Sequence, residues 1–172
     1  MEVNRKEAVA ALHRARMMTA AEKLFSEKGY AQTTIEDISK ESEYSRRTIY
    51  AYYDSKEDIL HHIIEKGLRS LKADIERAVN DNAGFNDAYR AVCGAMKRYR
   101  REYPHSLDSL KRSGAEEIGQ AAASDTVKNI LRLGTEINET LEALIIRGQK
   151  SGKVRKDLVP RLTVYVLSSS LD

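Results

Sequence analysis

The sequence predicts an all-α fold, in which an N-terminal three-helix domain is joined by one long helix to a C-terminal helical bundle. Three observations support this prediction. Apolar residues recur at intervals of three and four along nearly all 172 residues, a period that fits helices rather than strands. Residues that begin or end helices separate these segments, and the length suits one large or two small helical units. We place the domains at residues 1–55 and 56–172.

The first predicted helix has one apolar face and ends at Gly29, a residue that suits a left-handed C-cap. The face is formed by Met17, Ala20, Ala21, Leu24 and Phe25. Four basic residues lie ahead of it, namely Arg5, Lys6, Arg14 and Arg16. They either add phosphate contacts from an N-terminal arm or form a solvated tail, and the sequence leaves both interpretations open.

A short second helix begins at a capping box. Thr34 can act as its N-cap, with Asp37 placed to bond back to the backbone. Ile35 and Ile38 then share one face. The helix runs out near residue 42, and Ser45 is the next strong N-cap. Only about three residues separate the two helices, a spacing typical of a helix-turn-helix.

The third predicted helix, from residue 46 to about residue 53, has an unusual outer face. Ile49 and Tyr53 form its inward pair. The outward residues are Arg46, Arg47, Thr48 and Tyr50. No acidic residue lies between Ser45 and Tyr53, and guanidinium groups bind guanine edges or phosphates. The alternative is an ordinary polar surface with two arginines, but the capping signals and the turn spacing favour a DNA-binding helix.

The fourth predicted helix is long. Ser55 and Asp58 repeat the capping signal, and an apolar stripe continues from there to a helix breaker at residues 81–84. The stripe implies about 24 residues, or ~36 Å at 1.5 Å per residue. Such a helix can leave the first domain and enter the second, so we expect it to connect them mechanically.

The fifth predicted helix carries a tyrosine-rich face that ends at Pro104. The face consists of Phe85, Tyr89, Val92, Met96, Tyr99 and Tyr103. Because a buried phenol needs a hydrogen-bond partner, such a face suits the wall of a ligand cavity; a plain packed core is the alternative. Between residues 105 and 123 the periodicity weakens, which suits short or mobile helices and a lid. A long helix from Val127 to about Gln149 and a final helix after Pro160 follow.

These helices also carry a family resemblance. The run TTIEDISKESEYSRRTIYAYYDSKEDIL resembles the DNA-binding signature of the tetracycline-repressor (TetR) family, and the preceding AAEKLFSEKGY is similar to that family's first helix. Two departures stand out. Glu43 and Tyr44 replace the usual Gly-Val, so a side chain must occupy a turn position that favours positive φ. Arg47 stands where a small residue is common.

The resemblance implies roles for individual residues of the helix-turn-helix. The expected phosphate contacts come from Thr34, Ser45 and, at the start of the fourth helix, Lys56. The residues expected to approach bases are Arg46, Arg47 and Thr48. Contacts to phosphate or base are expected from Tyr50 and Tyr52.

The resemblance also implies two sites in the C-terminal domain. A ligand pocket among its helices is expected to be lined by Tyr89, Met96, Tyr99, Tyr103 and Ile137. Family members dimerise through their last two helices, which implies a subunit interface that includes Val159, Leu162, Val166 and Leu171. The last helix stops in mid-pattern at Asp172, so we expect the natural chain to continue.

Together, the residues and the resemblance predict a ligand-responsive transcriptional regulator. It is expected to act as a repressor that binds a pseudo-palindromic, double-stranded DNA operator as a homodimer. A mainly apolar small-molecule inducer would release it. The alternative is a helix-turn-helix DNA-binding protein without small-molecule control, which a fully packed C-terminal core would favour.

Other classes of protein find little support. The histidines at positions 13, 61, 62 and 105 lack metal-ligand spacing, and no glycine-rich loop follows a strand, so we expect neither an enzyme nor a cofactor or metal. A single cysteine excludes an internal disulfide and suits the cytoplasm. No apolar run reaches about 18 residues and no leader is evident, so we expect no membrane association. The net charge of +3 is too small to indicate DNA binding from bulk charge.

Overall fold

The computed structural model describes residues 2–104 and 124–169, and side chains within residues 5–104 and 124–164. These residues form helices and no strand, which confirms the all-α prediction. The helices are α1 (Glu2–Lys28), α2 (Ile35–Ser42), α3 (Arg46–Tyr50), α4 (Lys56–Asn80), α5 (Phe85–Glu102), α6 (Asp125–Lys150) and α7 (Pro160–Ser169). Within the described part, no helix is long and apolar enough to cross a membrane. The lid expected at residues 105–123 lies outside the described residues.

The chain divides into two compact units, Met1–Ile64 and Glu65–Asp172, and α4 contributes residues to both. The first unit includes the start of α4, where Ile59 and Leu60 are buried. In this unit α1 packs on α2, and α2 packs on α3. Its buried side chains include Met17, Ala21, Phe25, Ile38, Ile49 and Tyr53. The domain boundary after residue 55 stays a prediction.

The N-terminal basic residues lie in a helix and not in a loose arm. α1 is continuous from Glu2 to Lys28, so Arg5 and Lys6 lie on an exposed helical extension. Arg14 and Arg16 lie further along α1, where they contact the rest of the first unit. The Arg14 carbonyl accepts a hydrogen bond from the Tyr53 hydroxyl at 3.2 Å. The part of α1 that carries Arg5 and Lys6 therefore extends beyond these contacts.

The capping box of α2 is confirmed. The backbone N–H of Asp37 donates to the Thr34 hydroxyl at 3.2 Å, and the backbone N–H of Thr34 donates to the Asp37 carboxylate at 2.8 Å. Lys28 lies 2.7 Å from the same carboxylate. Lys28 and then Thr34 hold the pKa of Asp37 well below its ordinary value. This stabilising contribution is therefore present at neutral pH and is lost as the pH falls through the lowered pKa.

The turn between α2 and α3 contains the strained residue that the sequence predicts. Glu43 has φ 62 and ψ 22, and it is the one residue other than glycine with positive φ among those described. Its carboxylate accepts from the Arg16 guanidinium at 3.1 Å. The same guanidinium lies 5.6 Å from the centre of the Tyr44 ring. Arg16 thus holds both residues that replace the usual Gly-Val.

We expect Glu43→Gly to raise the free energy of unfolding by about 1 kcal/mol, because glycine adopts positive φ without the clash of a Cβ atom. The ion pair with Arg16 is exposed and contributes little to oppose this gain. Urea unfolding followed by circular dichroism measures the change. Lys40→Gly is the matched control, since a glycine inside α2 should lower stability by a similar amount. A loss of stability in Glu43→Gly would contradict the strain argument.

In the second unit, α5 and α7 both pack against α6. Two glycines mark places where backbone and rings approach closely. A Cβ atom at Gly67 would lie 3.0 Å from the rings of Tyr99 and Tyr103, and one at Gly148 would lie 2.6 Å from Phe85 and Val154. Gly67 therefore lets the end of α5 lie against α4. Gly148 lets α6 approach the start of α5.

We expect Gly148→Ala to lower the free energy of unfolding by about 1–3 kcal/mol, because the added methyl overpacks against Phe85 and Val154. The same substitution at Gly134, also in α6, meets no atom within 4 Å. Gly134→Ala should therefore raise stability by about 0.5–1 kcal/mol through helix propensity alone. Thermal unfolding of the two variants checks both signs. Equal effects would show that the close contact at Gly148 is relaxed at no cost.

Candidate functional site

The third helix begins at a hydroxyl pair. Ser45 is the N-cap of α3, and its hydroxyl accepts from the backbone N–H of Thr48 at 3.1 Å. The two hydroxyl groups of Ser45 and Thr48 lie 2.8 Å apart. Because Ser45 is exposed and Thr48 half-buried, the cap fixes both hydroxyls at the surface of the unit, where a phosphate oxygen can reach them.

The outer face of α3 is basic and open to solvent. Arg46 and Arg47 are exposed, Tyr50 keeps 54% of its surface exposed, and the inward Ile49 is fully buried. The helix contains no acidic residue. Among the described residues, Arg47 makes no ion pair. The inward and outward faces are therefore those that the sequence predicts.

Arg46 has a partner that the sequence does not reveal. Its Nε lies 3.3 Å from the carboxylate of Glu36, a residue in the first turn of α2. The carboxylate also lies 3.6 Å from Lys40. Sequence reasoning missed Glu36 because its only local signal is the preference for acids in a first helical turn. The pair keeps the Arg46 guanidinium close to the start of α2.

Tyr52 and Tyr53 both turn toward α1. The Tyr52 hydroxyl lies 3.0 Å from Nδ1 of His13, and the Arg14 guanidinium lies 5.5 Å from the centre of the Tyr52 ring. Tyr53 is buried, as predicted, and burial raises the pKa of its hydroxyl to about 12. The Tyr52 contact with phosphate or base stays a prediction, and in the structure this side chain bonds to α1.

Lys56 is also engaged within the first unit. Its ammonium donates to the backbone carbonyls of Tyr30 and Thr33, both at 2.8 Å, and lies 4.2 Å from the centre of the Tyr30 ring. Thr34, the other expected phosphate contact near this place, is exposed at the start of α2. Lys56 bonds to the carbonyl of Thr33, the residue directly before Thr34, so it lies close to the start of α2. Thr34 is exposed, whereas Lys56 is half-buried.

The candidate ligand residues of α5 fall into two pairs. Tyr99 is buried and stacks on Tyr103 with ring centres 5.3 Å apart. Tyr89 is half-buried and stacks on Phe85 at 5.7 Å. Burial, and then the neighbouring Cys93 thiol, raises the pKa of Tyr89. The fifth helix therefore places its tyrosines in separate surroundings, which the uniform stripe in the sequence does not predict.

The two remaining candidates differ in exposure, since Met96 is half-buried and Ile137 of α6 is buried.

The guanidinium of Arg147, in α6, makes fewer hydrogen bonds than its buried nitrogens allow. Arg147 donates from Nη1 to the Val79 carbonyl at 3.2 Å, whereas its buried Nε and Nη2 have no hydrogen-bond partner among the residues that the structure describes. These two nitrogens form the edge that binds a carboxylate or phosphate with two hydrogen bonds.

The expected subunit interface is partly described. Val159 and Leu162 are 55% and 63% exposed, and Leu158 beside them is also exposed. Val166 and Leu171 lie outside the residues whose side chains are described. Three large apolar side chains within five positions form an exposed apolar patch at the start of α7.

Comparison with known proteins agrees with this architecture. Residues 17–63 match the family model described as bacterial regulatory proteins, tetR family. The crystal structure of the TetR family transcriptional regulator PfmR from Thermus thermophilus is similar, with 29% identity, a TM-score of 0.73 and coverage of 91% of this chain and 82% of that one. The transcriptional repressor DhaR from a Mycobacterium species is 23% identical over 86% of this chain and 72% of its own. FadR from Bacillus subtilis, solved in complex with stearoyl-CoA, shares the fold at 20% identity and a TM-score of 0.69, over 92% of this chain and 82% of its own.

The capped turn and the exposed basic third helix define a helix-turn-helix DNA-binding protein. The matched model and the similar structures make the assignment narrower. This chain belongs to the TetR family of transcriptional regulators. It is accordingly a DNA-binding regulator and not an enzyme.

Proposed function

We propose that this chain is a ligand-responsive transcriptional repressor that binds a pseudo-palindromic operator as a homodimer and leaves it when a small molecule binds. The proposal of DNA binding rests on the outer face of α3, which has two exposed guanidinium groups and no acidic residue. The alternative is a helix-turn-helix protein that binds DNA without small-molecule control. The two candidates share the first unit and differ in what the second unit does.

The proposed DNA contacts divide by chemistry. Phosphate contacts come from the capping hydroxyls of Thr34 and Ser45, and one is assigned to Lys56. Base contacts are assigned to Arg46, Arg47 and Thr48, and Tyr50 and Tyr52 are assigned to phosphate or base. Exposure supports this assignment most strongly for Arg46, Arg47 and Tyr50. The guanidinium groups of Arg46 and Arg47 can read guanine edges in the major groove.

Repression and dimerisation rest on different observations. DhaR, a relative along most of this chain, is named a repressor. The exposed apolar patch at the start of α7 supports a subunit interface, because large apolar side chains that stay exposed in one chain are commonly covered by a partner. A two-fold dimer then requires two half-sites in the operator.

Small-molecule control is supported by the second unit. The stacked pair of Tyr99 and Tyr103 and the half-buried Met96 offer apolar surface with phenol groups. The edge of Arg147 formed by Nε and Nη2, which has no partner within the described part of the chain, suits an anionic group on a ligand. The similar fold of FadR holds stearoyl-CoA, a long acyl chain with an anionic head. An effector would favour one state of α4, which has residues in both units, and so lower DNA affinity through coupling.

An unbiased selection of bound DNA from a random duplex library tests the proposal. We expect an enriched inverted repeat, and the absence of any enriched motif would overturn specific operator binding. The selected duplex is then titrated with protein in the presence of compounds that raise the melting temperature in a broad thermal-shift screen, stearoyl-CoA included. Release of DNA by a stabilising compound supports control by that compound. If no compound stabilises the protein and Tyr99→Ala costs about 3–5 kcal/mol of stability, as plain core residues do, the alternative function stands.

A further inference from the structure

The ammonium of Lys56, the first residue of α4, is held by the corner between α1 and α2, which we define as residues 29–34. It donates to the carbonyls of Tyr30 and Thr33 at 2.8 Å and lies 4.2 Å from the centre of the Tyr30 ring. An ammonium group has three donors, and the two carbonyls occupy two of them. The Tyr30 ring lies against one side of the charged group. Burial lowers the pKa of Lys56, as expected for an ammonium partly removed from water.

The corner itself is built to present these carbonyls. The Thr33 hydroxyl donates to the Gly29 carbonyl at 2.8 Å, and the Thr33 N–H donates to the Tyr30 carbonyl at 3.2 Å. The Tyr30 ring packs edge-on against Phe25, with centres 5.2 Å apart. Thr33 is almost fully buried. The carbonyls of Tyr30 and Thr33 therefore point to one place, and a cation there satisfies both.

The position of Thr33 connects this contact with the DNA-binding surface. The residue that follows it is Thr34, the N-cap of α2, whose backbone N–H is held by Asp37. A bond from Lys56 to the Thr33 carbonyl thus ties the first residue of α4 to the residue that precedes the N-cap of the first helix of the helix-turn-helix. If the tie is lost, the start of α2 is free to shift relative to α4.

We propose that Lys56 is a positioning residue for DNA binding, which fixes the start of α4 and the N-cap of α2 in one arrangement through the carbonyls of Tyr30 and Thr33. This inference rests on the proposed DNA contacts of α2 and α3. It differs from the phosphate contact assigned to Lys56 above. To bind a phosphate, the ammonium must either release the two carbonyls or use its one remaining donor. The two roles predict different salt dependence.

The experiment compares Lys56→Met with Arg47→Met. Affinity for a non-specific DNA duplex is measured by anisotropy at several salt concentrations, well below the melting temperature. Loss of one phosphate contact reduces the slope of log affinity against log salt by about 0.9. We expect that reduction for Arg47→Met, because non-specific binding depends on phosphate contacts and the Arg47 guanidinium, which reads no base on such a duplex, then binds phosphate. For Lys56→Met we expect about tenfold weaker binding with an unchanged slope, and faster amide exchange in the corner and the first turn of α4.

Three further variants separate positioning from simple stability. Lys56→Arg keeps the charge and can donate to the carbonyls, so it should recover part of the affinity. Tyr30→Leu keeps both carbonyls but removes the ring that lies beside the ammonium and packs on Phe25. It should loosen the corner and weaken binding in the same direction as Lys56→Met but by less, which keeps the test available if Lys56→Met fails to fold. Ile59→Val, at a fully buried position in α4, should lower the melting temperature by a few degrees while leaving the affinity of the folded protein unchanged.

A slope in Lys56→Met that falls as in Arg47→Met, with exchange unaltered, would overturn the positioning role in favour of a phosphate contact. Unchanged affinity together with unchanged exchange would also overturn it. If the wild type bound no duplex DNA, the proposed function would fall. The exchange comparison would then decide alone whether Lys56 holds the corner.

Discussion

The Arg46→Ala and Arg47→Ala variants are each expected to lose about 1–3 kcal/mol of operator affinity and to relax selectivity at one position of each half-site. Both guanidiniums lie on the exposed face of α3, where a bidentate contact with guanine is possible. The double variant should therefore bind the selected operator scarcely better than random duplex DNA. Anisotropy titration against the selected duplex, and a second selection with each variant, measure affinity and selectivity.

The two arginines should not be equivalent. Arg46 already has the Glu36 carboxylate at 3.3 Å, so its contact with DNA replaces or shares an existing ion pair. Arg47 makes no ion pair within the described part of the chain and gains its whole contact on binding. We therefore expect Arg47→Ala to cost more than Arg46→Ala. Arg132→Ala, which removes an exposed, ion-paired arginine of the second unit, is the control and should leave affinity unchanged.

Wild-type affinity and selectivity in both single variants, with helical content retained, would contradict the assignment of α3 as the recognition helix. A large loss of operator affinity in Arg46→Ala alone would place the base contact at Arg46, the first residue of α3. In that case Glu36 would act as a support for Arg46, and Glu36→Gln should reproduce part of the loss.

The sequence predicts the helix-turn-helix well because its signals are local. The capping box of Thr34 and Asp37 and the N-cap of Ser45 lie within three residues of their partners. The strained turn is predictable from the family resemblance, because Glu43 replaces a usual glycine there, and its φ is positive. The long fourth helix ends at Asn80, directly before the predicted breaker. Period and capping therefore suffice for these elements.

Contacts between residues far apart in sequence are not predictable in this way. Tyr52 bonds to His13 across 39 positions, and Lys56 bonds to Tyr30 across 26. The family resemblance implies DNA contacts for both Lys56 and Tyr52, and either side chain also suits a phosphate. The packing of α1 on α2 brings their partners close, and no periodic pattern encodes that arrangement.

The tyrosine face of α5 shows the same limit. A stripe at helical spacing predicts that the residues share one side of a helix, but neighbouring helices decide what each side chain meets. Gly67 admits the rings of Tyr99 and Tyr103, whereas Tyr89 stacks on Phe85. Pocket residues therefore remain the part of the site that the sequence predicts least securely.

The largest effect on operator binding is expected from the apolar patch at the start of α7. Val159→Glu combined with Leu162→Glu places two charges on side chains that are 55% and 63% exposed. If a partner subunit covers them, the charges are buried without partners and the dimer dissociates. A monomer engages one half-site only, so affinity should fall by about a hundredfold or more through loss of the linked second contact.

Analytical ultracentrifugation at micromolar protein, together with operator titration, measures both consequences. Leu12→Glu is the matched control for sedimentation, because Leu12 of α1 is an apolar side chain with a similar exposure of 60% and has no place in the proposed interface. We expect the wild type and Leu12→Glu to sediment as dimers and the double variant as a monomer. A double variant that stays dimeric would move the interface elsewhere on the second unit. A wild-type protein that is monomeric and still binds its operator tightly would remove the need for two half-sites, and the operator would then carry a single recognition sequence.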